Sequence, residues 1–424
     1  MNRVLFPLLL LLLPFVSGCR SSGNKSDSIV SIQIIDRNGF SETISNEDRL
    51  STYENVNFLA SQPFQKVLRV YGKNSEGKSH SKLTSYHNNG GVWQLLEAVN
   101  GRANGRYLEW HENGTLKIEA HVIEGLADLG INAQKSWLFD KESLVWDERG
   151  HLEAEFLYEL GSLNNQAKYY FPSGKIKKTI PYFHGVIEGT LFTYDEEGEV
   201  LEEIFYKQGV KEGAATGYWV SRSPKYQEQY REGLLINASY FDPQGNPVAE
   251  IEGGIGIQAV FEGENLYSLI EFQGGSPDGI VKLFSPKGEL KKSYTIKEGQ
   301  KTGEEWEYYL SSSEEPSPKL MVTWYEDVIQ GMAKTWYPNG TLQAQREMSN
   351  NKKEGLSFAY YENGDLMLME EYEKDKLLKG SYYKEGESKP VSTIEEGEGV
   401  ATLFNKEGYI IQKIDYERGK PVVE

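Results

Sequence analysis

The chain of 424 residues is long enough for several globular domains or for one extended repeat array. Its 12% aromatic content argues against a disordered chain, and its single cysteine excludes a disulfide framework or a cysteine-rich metal site. A net charge of -18 repels phosphate backbones, so we expect no nucleic-acid partner.

The first predicted element is a signal peptide over residues 1–18. Arg3 precedes an apolar run over residues 4–16, which is too short to span a membrane. The run ends in Val16-Ser17-Gly18-Cys19, which resembles a bacterial lipobox, and this resemblance implies that Cys19 is acylated (palmitate among the acyl groups) and becomes the new N-terminus. An ordinary secretory signal is the alternative.

A polar tether follows over residues 19–28, rich in serine and glycine as a flexible linker is. We therefore expect a lipoprotein of the bacterial cell envelope whose partner at the N-terminus is the membrane itself. By the sorting rules of such lipoproteins, Arg20 after the cysteine favours the outer membrane over the inner one.

Residues 29–79 lie outside the pattern of the rest of the chain and predict a small N-terminal α+β cap. Residues 29–36 predict a strand, with a turn at Gly39. Ser45-Asn-Glu-Asp48 predicts a capping box that opens a helix running to Leu59, and residues 65–70 predict a strand that leads into the repeats. Such an atypical terminal unit would shield the first edge of an array.

Residues 80–424 repeat one turn, in which an aromatic residue stands four positions before a glycine. We call the aromatic residues of this set the register aromatics: Tyr86, Trp110, Trp146, Tyr170, Tyr194, Phe241, Phe284, Trp336, Tyr360 and Phe404. The glycines are the turn glycines: Gly90, Gly114, Gly150, Gly174, Gly198, Gly245, Gly288, Gly340, Gly364 and Gly408. Eleven positions after each turn glycine stands a second turn-forming residue. In four of the repeats these residues are Gly125, Gly256, Asn351 and Asp375.

Two turns per period leave runs of strand length between them, and Asn-Gly sequences supply the positive φ of tight hairpin turns. Each period therefore predicts one β-hairpin, which is stabilised only by stacking on its neighbours. With some eroded copies between the clear ones, we expect about fourteen units. The predicted fold class is all-β, an elongated array of antiparallel β-hairpins behind the α+β cap.

The pattern in Trp336-Tyr-Pro-Asn-Gly-Thr-Leu342 and Trp110-His-Glu-Asn-Gly-Thr-Leu116 resembles the MORN-repeat variant of the bacterial YwqK-type antitoxin family. The resemblance covers about residues 80–424. It implies a scaffold, a dimerisation surface or a lipid contact, and the antitoxin label implies neutralisation of a cytosolic protein partner. The lipobox places this chain elsewhere, so the antitoxin activity is not carried over.

Patterns of catalytic chemistry are weak in this sequence, and we nominate no catalytic residue, no metal site and no cofactor. Gly254-Ile-Gly256 matches part of a dinucleotide motif, but a strand and not a helix is predicted after it. His111-Glu112 lacks the second histidine of a zinc helix. Paired acids such as Glu370-Glu371 are typical of solvent-facing strand positions.

The aromatic ladder leaves two interpretations open. The register aromatics form the core of the sheet, or they line a groove that stacks on glycan or peptide; we favour the core. The two rings of an aromatic doublet must point to opposite faces of a strand, so even if one ring is buried, the other is offered to the second face, which is a candidate interaction surface. The rings predicted for that face are Tyr169, Tyr309, Tyr361 and Tyr383.

The sequence thus predicts a non-catalytic envelope lipoprotein that acts as a protein-binding or structural scaffold, with an envelope protein as its partner. The first alternative is a glycan-binding or glycan-processing envelope protein that uses exposed tyrosine and tryptophan. The second is an antitoxin-like neutraliser of a protein.

Overall fold

The computed structural model describes residues 28–62, 65–73, 77–310 and 315–422. The predicted signal peptide, Cys19 and almost all of the predicted tether lie outside these residues. By their internal contacts the residues fall into two compact units, unit 1 over 1–174 and unit 2 over 175–424. No helix in the described ranges has the length and apolar character needed to cross a membrane.

Unit 1 contains two short helices and eleven strands in its described residues. The helices are α1 (Glu47–Ser51) and α2 (Ile131–Gln134). The strands are β1 (Ser28–Asp36), β2 (Ser41–Ile44), β3 (Gln65–Lys73), β4 (Ser79–Tyr86), β5 (Val92–Val99), β6 (Arg102–Trp110), β7 (Leu116–Leu126), β8 (Leu138–Trp146), β9 (Leu152–Glu159), β10 (Ser162–Leu163) and β11 (Asn165–Tyr170).

Unit 2 contains only strands in its described residues. They are β12 (Ile176–Phe183), β13 (Val186–Ile187), β14 (Gly189–Tyr194), β15 (Val200–Lys207), β16 (Val210–Tyr218), β17 (Pro224–Arg231), β18 (Leu234–Phe241), β19 (Pro247–Glu252), β20 (Ile255–Glu262), β21 (Asn265–Gln273), β22 (Ser276–Phe284), β23 (Leu290–Lys297), β24 (Gln300–Tyr309), β25 (Ser317–Tyr325), β26 (Val328–Trp336), β27 (Leu342–Ser349), β28 (Lys352–Tyr360), β29 (Leu366–Glu373), β30 (Lys376–Tyr382), β31 (Ser392–Glu395), β32 (Glu398–Phe404), β33 (Ile410–Glu417) and β34 (Lys420–Pro421).

Antiparallel pairing of strands that are neighbours in sequence builds both units. In unit 1 the order begins β2, β1, β3, β4 and continues through β9, which pairs with β10 and β11. In unit 2, β12 pairs with β13 and β14, and from β14 each strand pairs with the next through β34. The predicted all-β fold of antiparallel hairpin strands is confirmed.

Two kinds of turn alternate along the repeats. The longer turn runs from a register aromatic past a turn glycine, and the ten turn glycines have φ between 78° and 95°. The shorter is a two-residue turn in which both residues have positive φ, as at Asn100-Gly101 and Asn350-Asn351, which is the conformation of a type I′ hairpin. Its twist matches the twist of the flanking strands, so the pairing continues without interruption.

Two of the predicted second turn-formers lie elsewhere. Gly125 lies inside β7, with φ of 93°, and Gly256 lies inside β20, with φ of 147°. The turn before β20 is formed instead by Gly253-Gly254, whose φ values of 61° and 81° suit it. Counting eleven positions fails in both places because the local chain differs in length from the standard repeat.

The N-terminal cap differs from its prediction in the helix. Asn46, not Ser45, is the N-cap of α1, and its side chain accepts a hydrogen bond from the Arg49 backbone N–H. The helix ends at Ser51 and does not continue to Leu59. The strand β2, which was not predicted, pairs with β1 and completes the cap.

The sheet of unit 1 is packed on both faces. Leu68 and Arg69 are adjacent in β3, so their side chains lie on opposite faces. On the face of Leu68, α1 contributes Leu50 to a buried cluster with Ile32. On the other face, Leu129 and Trp137 of the segment 127–137 pack on a cluster that contains Tyr107.

Candidate functional site

The register aromatics contribute to the interior to different degrees. Tyr86 and Phe404 are buried, at 4% and 6% exposure, and the other eight are half-buried. Trp336 stacks on Trp306, with ring centroids 5.6 Å apart, and Trp306 is not a register aromatic. The core of the sheet therefore includes aromatic residues outside the repeating set.

The tyrosines predicted as an interaction surface do not form one exposed set. Tyr361 is only 3% exposed, so its prediction as an outward-facing residue is wrong. Tyr169, Tyr309 and Tyr383 are half-buried. Tyr361 follows the end of β28 at Tyr360 and lies beyond the register shift between Ala359 and Tyr360, so the alternation of strand faces no longer applies at the position after the register aromatic.

That position forms a link between repeats. The Tyr361 hydroxyl donates to the Tyr383 carbonyl at 2.9 Å, and the Tyr337 hydroxyl donates to the Tyr360 carbonyl at 2.9 Å. His87 and His111 likewise contact the carbonyl of the register aromatic in the next clear repeat, which is Trp110 and Trp146 respectively. Trp219 and Tyr309, which follow the aromatic residues of two eroded repeats, contact the carbonyls of Phe241 and Trp336 in the same way. We call these contacts staples.

In other repeats the same position is occupied by a residue that caps its own turn. The Asp195 carboxylate accepts hydrogen bonds from the backbone N–H groups of residues 197, 198 and 199. Asp147, Asp242 and Asn405 act in the same way. A longer aromatic or imidazole side chain thus staples two repeats, and a short carboxylate or amide closes one turn.

Buried carboxylates in unit 2 are enclosed by tyrosine and lysine. Glu228 accepts hydrogen bonds from the hydroxyls of Tyr230 and Tyr240, at 2.9 and 2.7 Å. Lys211 lies 3.1 Å from the Tyr230 hydroxyl and over its ring. Burial, followed by the nearby Glu228 charge, raises the pKa of both tyrosines, so they remain hydrogen-bond donors.

The same cluster recurs later in unit 2 with the same sequence offsets. Glu370 accepts from Tyr372 and Tyr382, at 2.9 and 2.8 Å, and Lys353 lies 3.1 Å from the Tyr372 hydroxyl. Glu228 is 8% exposed, and Glu370 is half-buried. These carboxylates are occupied by fixed partners, so their hydrogen-bonding capacity serves the sheet.

A third buried carboxylate is held by ion pairs. Glu305 is bound by Lys292 and by Lys301, the latter at 2.6 Å. Burial on its own would raise the pKa of Glu305, but the hydrogen bonds from the two ammonium groups outweigh it and lower the pKa below its usual range. Glu305 is therefore a carboxylate that stays ionised inside the sheet.

Unit 1 contains a groove of about 980 Å³ on the face covered in part by segment 127–137. Its floor is a cross-strand row formed by Val67, Ser85, Gln94 and Glu109. One wall comes from the turns at the ends of β1, β4 and β6, and the other comes from the segment that contains α2. The residues that line the groove include Arg37, Lys66, Arg69, His87, Trp93 and Asp128.

The sequence offered two signals of this groove that were not used. One was the wide gap between Gly114 and Gly150, which contains the inserted segment 127–137. The other was Trp93, a tryptophan that follows a turn glycine by three positions, where other repeats carry Lys117 or Gln343. Across the described ranges, no three His, Cys, Asp or Glu side chains converge as a metal site.

A model of the MORN repeat variant matches five segments of the chain, at residues 103–123, 163–184, 187–208, 329–350 and 353–374. The chain carries MORN-variant repeats. The matched segments make up roughly a quarter of its length. MORN-variant repeats on antiparallel hairpin sheets are typical of a structural or binding scaffold.

No curated protein matches the chain. Among solved structures, a Photorhabdus luminescens Tc holotoxin pore is similar over 92% of this chain and 24% of that chain, at 12% identity. The chain thus spans about a quarter of the length of that matched chain. The TM-score is 0.14, which is too low to support an argument about fold or function.

Proposed function

We propose that the protein is a non-catalytic scaffold of the bacterial envelope, which is anchored through lipid on Cys19 and binds a protein partner with its MORN-variant sheet. The observation that supports this most is the occupation of three carboxylates in the sheet of unit 2. Glu228, Glu370 and Glu305 each accept from tyrosine or lysine on both carboxylate oxygens. Acids held in this way stabilise the sheet and offer no free general acid or base.

The repeat architecture supports the binding role. Hairpins that stack along the chain present regularly spaced side chains over a long surface, which is the usual basis of partner recognition by repeat proteins. The net charge of -18 favours a partner with a basic surface over nucleic acid or an anionic lipid face.

The test is crosslinking on intact cells followed by purification, with wild type compared with Cys19→Ala. We expect one specific envelope protein to be recovered with wild type and lost with the variant, because the variant lacks the lipid that places it at the membrane. Cys19→Ala should also abolish incorporation of labelled palmitate. A variant that remains membrane-bound and retains the same crosslinks would contradict the anchor.

The antitoxin-like alternative requires a cytosolic pool of the protein. Fractionation distinguishes the two: a pool restricted to membranes supports the scaffold, and a soluble pool bound to a cytosolic protein supports the alternative. Capture of glycan fragments in place of a protein would overturn the proposed partner class. The exposed ring of Trp93 in the groove of unit 1 also favours a glycan ligand there.

A further inference from the structure

The floor of the groove in unit 1 is a chain of hydrogen bonds with fixed direction. Ser85 Oγ donates to Gln94 Oε1 at 3.1 Å, and Gln94 Nε2 donates to the Tyr107 hydroxyl at 3.0 Å. That hydroxyl donates to Glu109 Oε2 at 2.6 Å. Because Gln94 is 3% exposed and held at both ends, the floor presents polar atoms whose positions are set before any ligand arrives.

Glu109 ends this chain as an ionised group. Lys117 donates to Glu109 Oε1 at 2.7 Å, opposite the oxygen that is bound by Tyr107. Burial favours a higher pKa, but the hydrogen bonds from Lys117 and Tyr107 outweigh it, and the pKa of Glu109 is lowered. The floor therefore ends in a carboxylate that accepts hydrogen bonds, with its charge balanced by Lys117.

An exposed aromatic ring stands at the edge of this floor. Trp93 is 42% exposed and stacks on His87, with ring centroids 5.6 Å apart and an angle of 30° between the rings. It is the extra residue of a β-bulge, because Tyr86 pairs with Val92 and Ser85 pairs with Gln94. A bulge re-aims the side chain that it carries, and here that side chain lines the groove.

The charges of the lining exclude a strongly charged ligand. The basic residues of the lining are Arg37, Lys66 and Arg69, and the acidic ones are Glu109, Glu112 and Asp128. Arg69 is paired with Asp128, and Glu109 is paired with Lys117. The lining is thus close to charge balance, whereas a phosphate or sulfate site would carry an excess of cations.

We propose that this groove binds a neutral oligosaccharide, with one sugar ring on the indole of Trp93 and its hydroxyls on the polar side chains of the floor. A pyranose has an apolar C–H face and a polar edge. The indole of Trp93 complements the apolar face, and the fixed amide, hydroxyl and carboxylate groups of the floor complement the polar edge. The volume of about 980 Å³ is in the range of small-ligand sites. This site goes beyond the scaffold role and does not depend on the lipid anchor.

The test uses the full chain purified in detergent and three neutral probes: chitotetraose, cellotetraose and maltotetraose. We expect at least one of them to bind saturably, with a Kd on the order of 1 mM or tighter by calorimetry. Trp93→Ala should weaken that binding by about tenfold or more, and Trp93→Phe should retain most of it because a ring remains.

The matched control is Tyr325→Ala, which removes an aromatic side chain that is 61% exposed in unit 2. It should leave the affinity unchanged, and circular dichroism should show all three variants folded. The proposal is overturned if none of the probes binds, if Trp93→Ala binds as wild type does, or if Tyr325→Ala loses as much affinity. Displacement of the sugar by a neutral tetrapeptide of equal or higher affinity would assign the groove to peptides and also overturn it.

Discussion

The covered face of unit 1 and the Glu370 cluster of unit 2 differ in how closely they follow the repeat. Around Glu370 the repeat is regular, and Tyr372 and Tyr382 occupy both oxygens of the half-buried carboxylate. In unit 1 the inserted segment 127–137 interrupts the repeat, and Trp93 occupies the bulge position at which other repeats carry Lys117 or Gln343, and a groove with a polar floor results. Both regions occupy their carboxylates internally, since Tyr107 and Lys117 bind the two oxygens of Glu109, but only the departure from the repeat in unit 1 makes room for a ligand.

The largest expected effect comes from removing the cover of unit 1. Trp137 is 6% exposed, packs edge-on against Tyr107 with centroids 5.0 Å apart, and donates to the Leu126 carbonyl at 2.8 Å. Trp137→Ala should lower the free energy of unfolding by about 3–5 kcal/mol, since it leaves a large cavity. Urea unfolding gives the magnitude, and hydrogen exchange should show lost protection in residues 80–126.

Trp306→Ala is the control for Trp137→Ala, because Trp306 is half-buried in the regular sheet and stacks on one neighbouring ring. We expect a smaller loss, confined to unit 2. If Trp137→Ala leaves exchange in residues 80–126 unchanged, segment 127–137 is not a structural cover and the comparison fails.

The next effect concerns the two carboxylate clusters. Tyr240→Phe and Tyr382→Phe each remove one hydroxyl donor from a carboxylate, so each should cost about 1–3 kcal/mol. The loss should be greater for Tyr240→Phe because Glu228 is more buried than Glu370. Chemical unfolding measures both, with Tyr409→Phe, whose ring is 72% exposed, as the silent control.

The pH dependence of stability sharpens the role of Glu305. Its pKa is lower in the folded protein than its usual value of 4.5, so the stability that it contributes is present above that value. This contribution is lost as the pH falls through the folded pKa. Glu305→Gln should therefore destabilise the protein at neutral pH, by about 1–3 kcal/mol, and progressively less as the pH falls through the folded pKa.

Urea unfolding at several pH values tests this, with Glu407→Gln as the control because its side chain is 51% exposed. An equal loss at every pH would show that Glu305 acts through packing and not through its charge.

The smallest effect is expected at the staples. Tyr337→Phe removes the hydrogen bond to the Tyr360 carbonyl and should cost about 0.5–1.5 kcal/mol. Hydrogen exchange should increase at the turns of these two repeats and not elsewhere. Tyr325→Phe, in a ring that is 61% exposed, is the matched control. Deprotection that spreads through all of unit 2 would contradict local linkage between neighbouring repeats.

The sequence was sufficient to predict the hairpin strands of the repeats and most of their turns, since turn chemistry is local. Positive φ at Gly114 or Asn351 follows from the residue type and the spacing. The errors at Gly125 and Gly256 arose where the chain length between turns changes, which is a local departure from the repeat. The error at Tyr361 arose because this residue follows the end of β28 and a register shift, so strand alternation did not apply to it.

The groove could not be predicted in the same way. Its walls come from β1, β4, β6 and segment 127–137, which are distant in sequence and meet only through strand pairing. The pairing of Ser85 with Gln94 and of Gln94 with Glu109 is what places three polar side chains in one row. The spacing of the turn glycines gives the order of the strands but not which insertion folds back over which face.

The staples have a consequence for how the sequence of such a repeat array can evolve. Their acceptor is a main-chain carbonyl, as at Tyr360 and Trp110, and every residue type supplies one. A donor in one repeat therefore requires no matching substitution in the next. Repeats joined in this way can be duplicated, deleted or exchanged without coordinated mutations, so the array can vary in length while each junction remains intact.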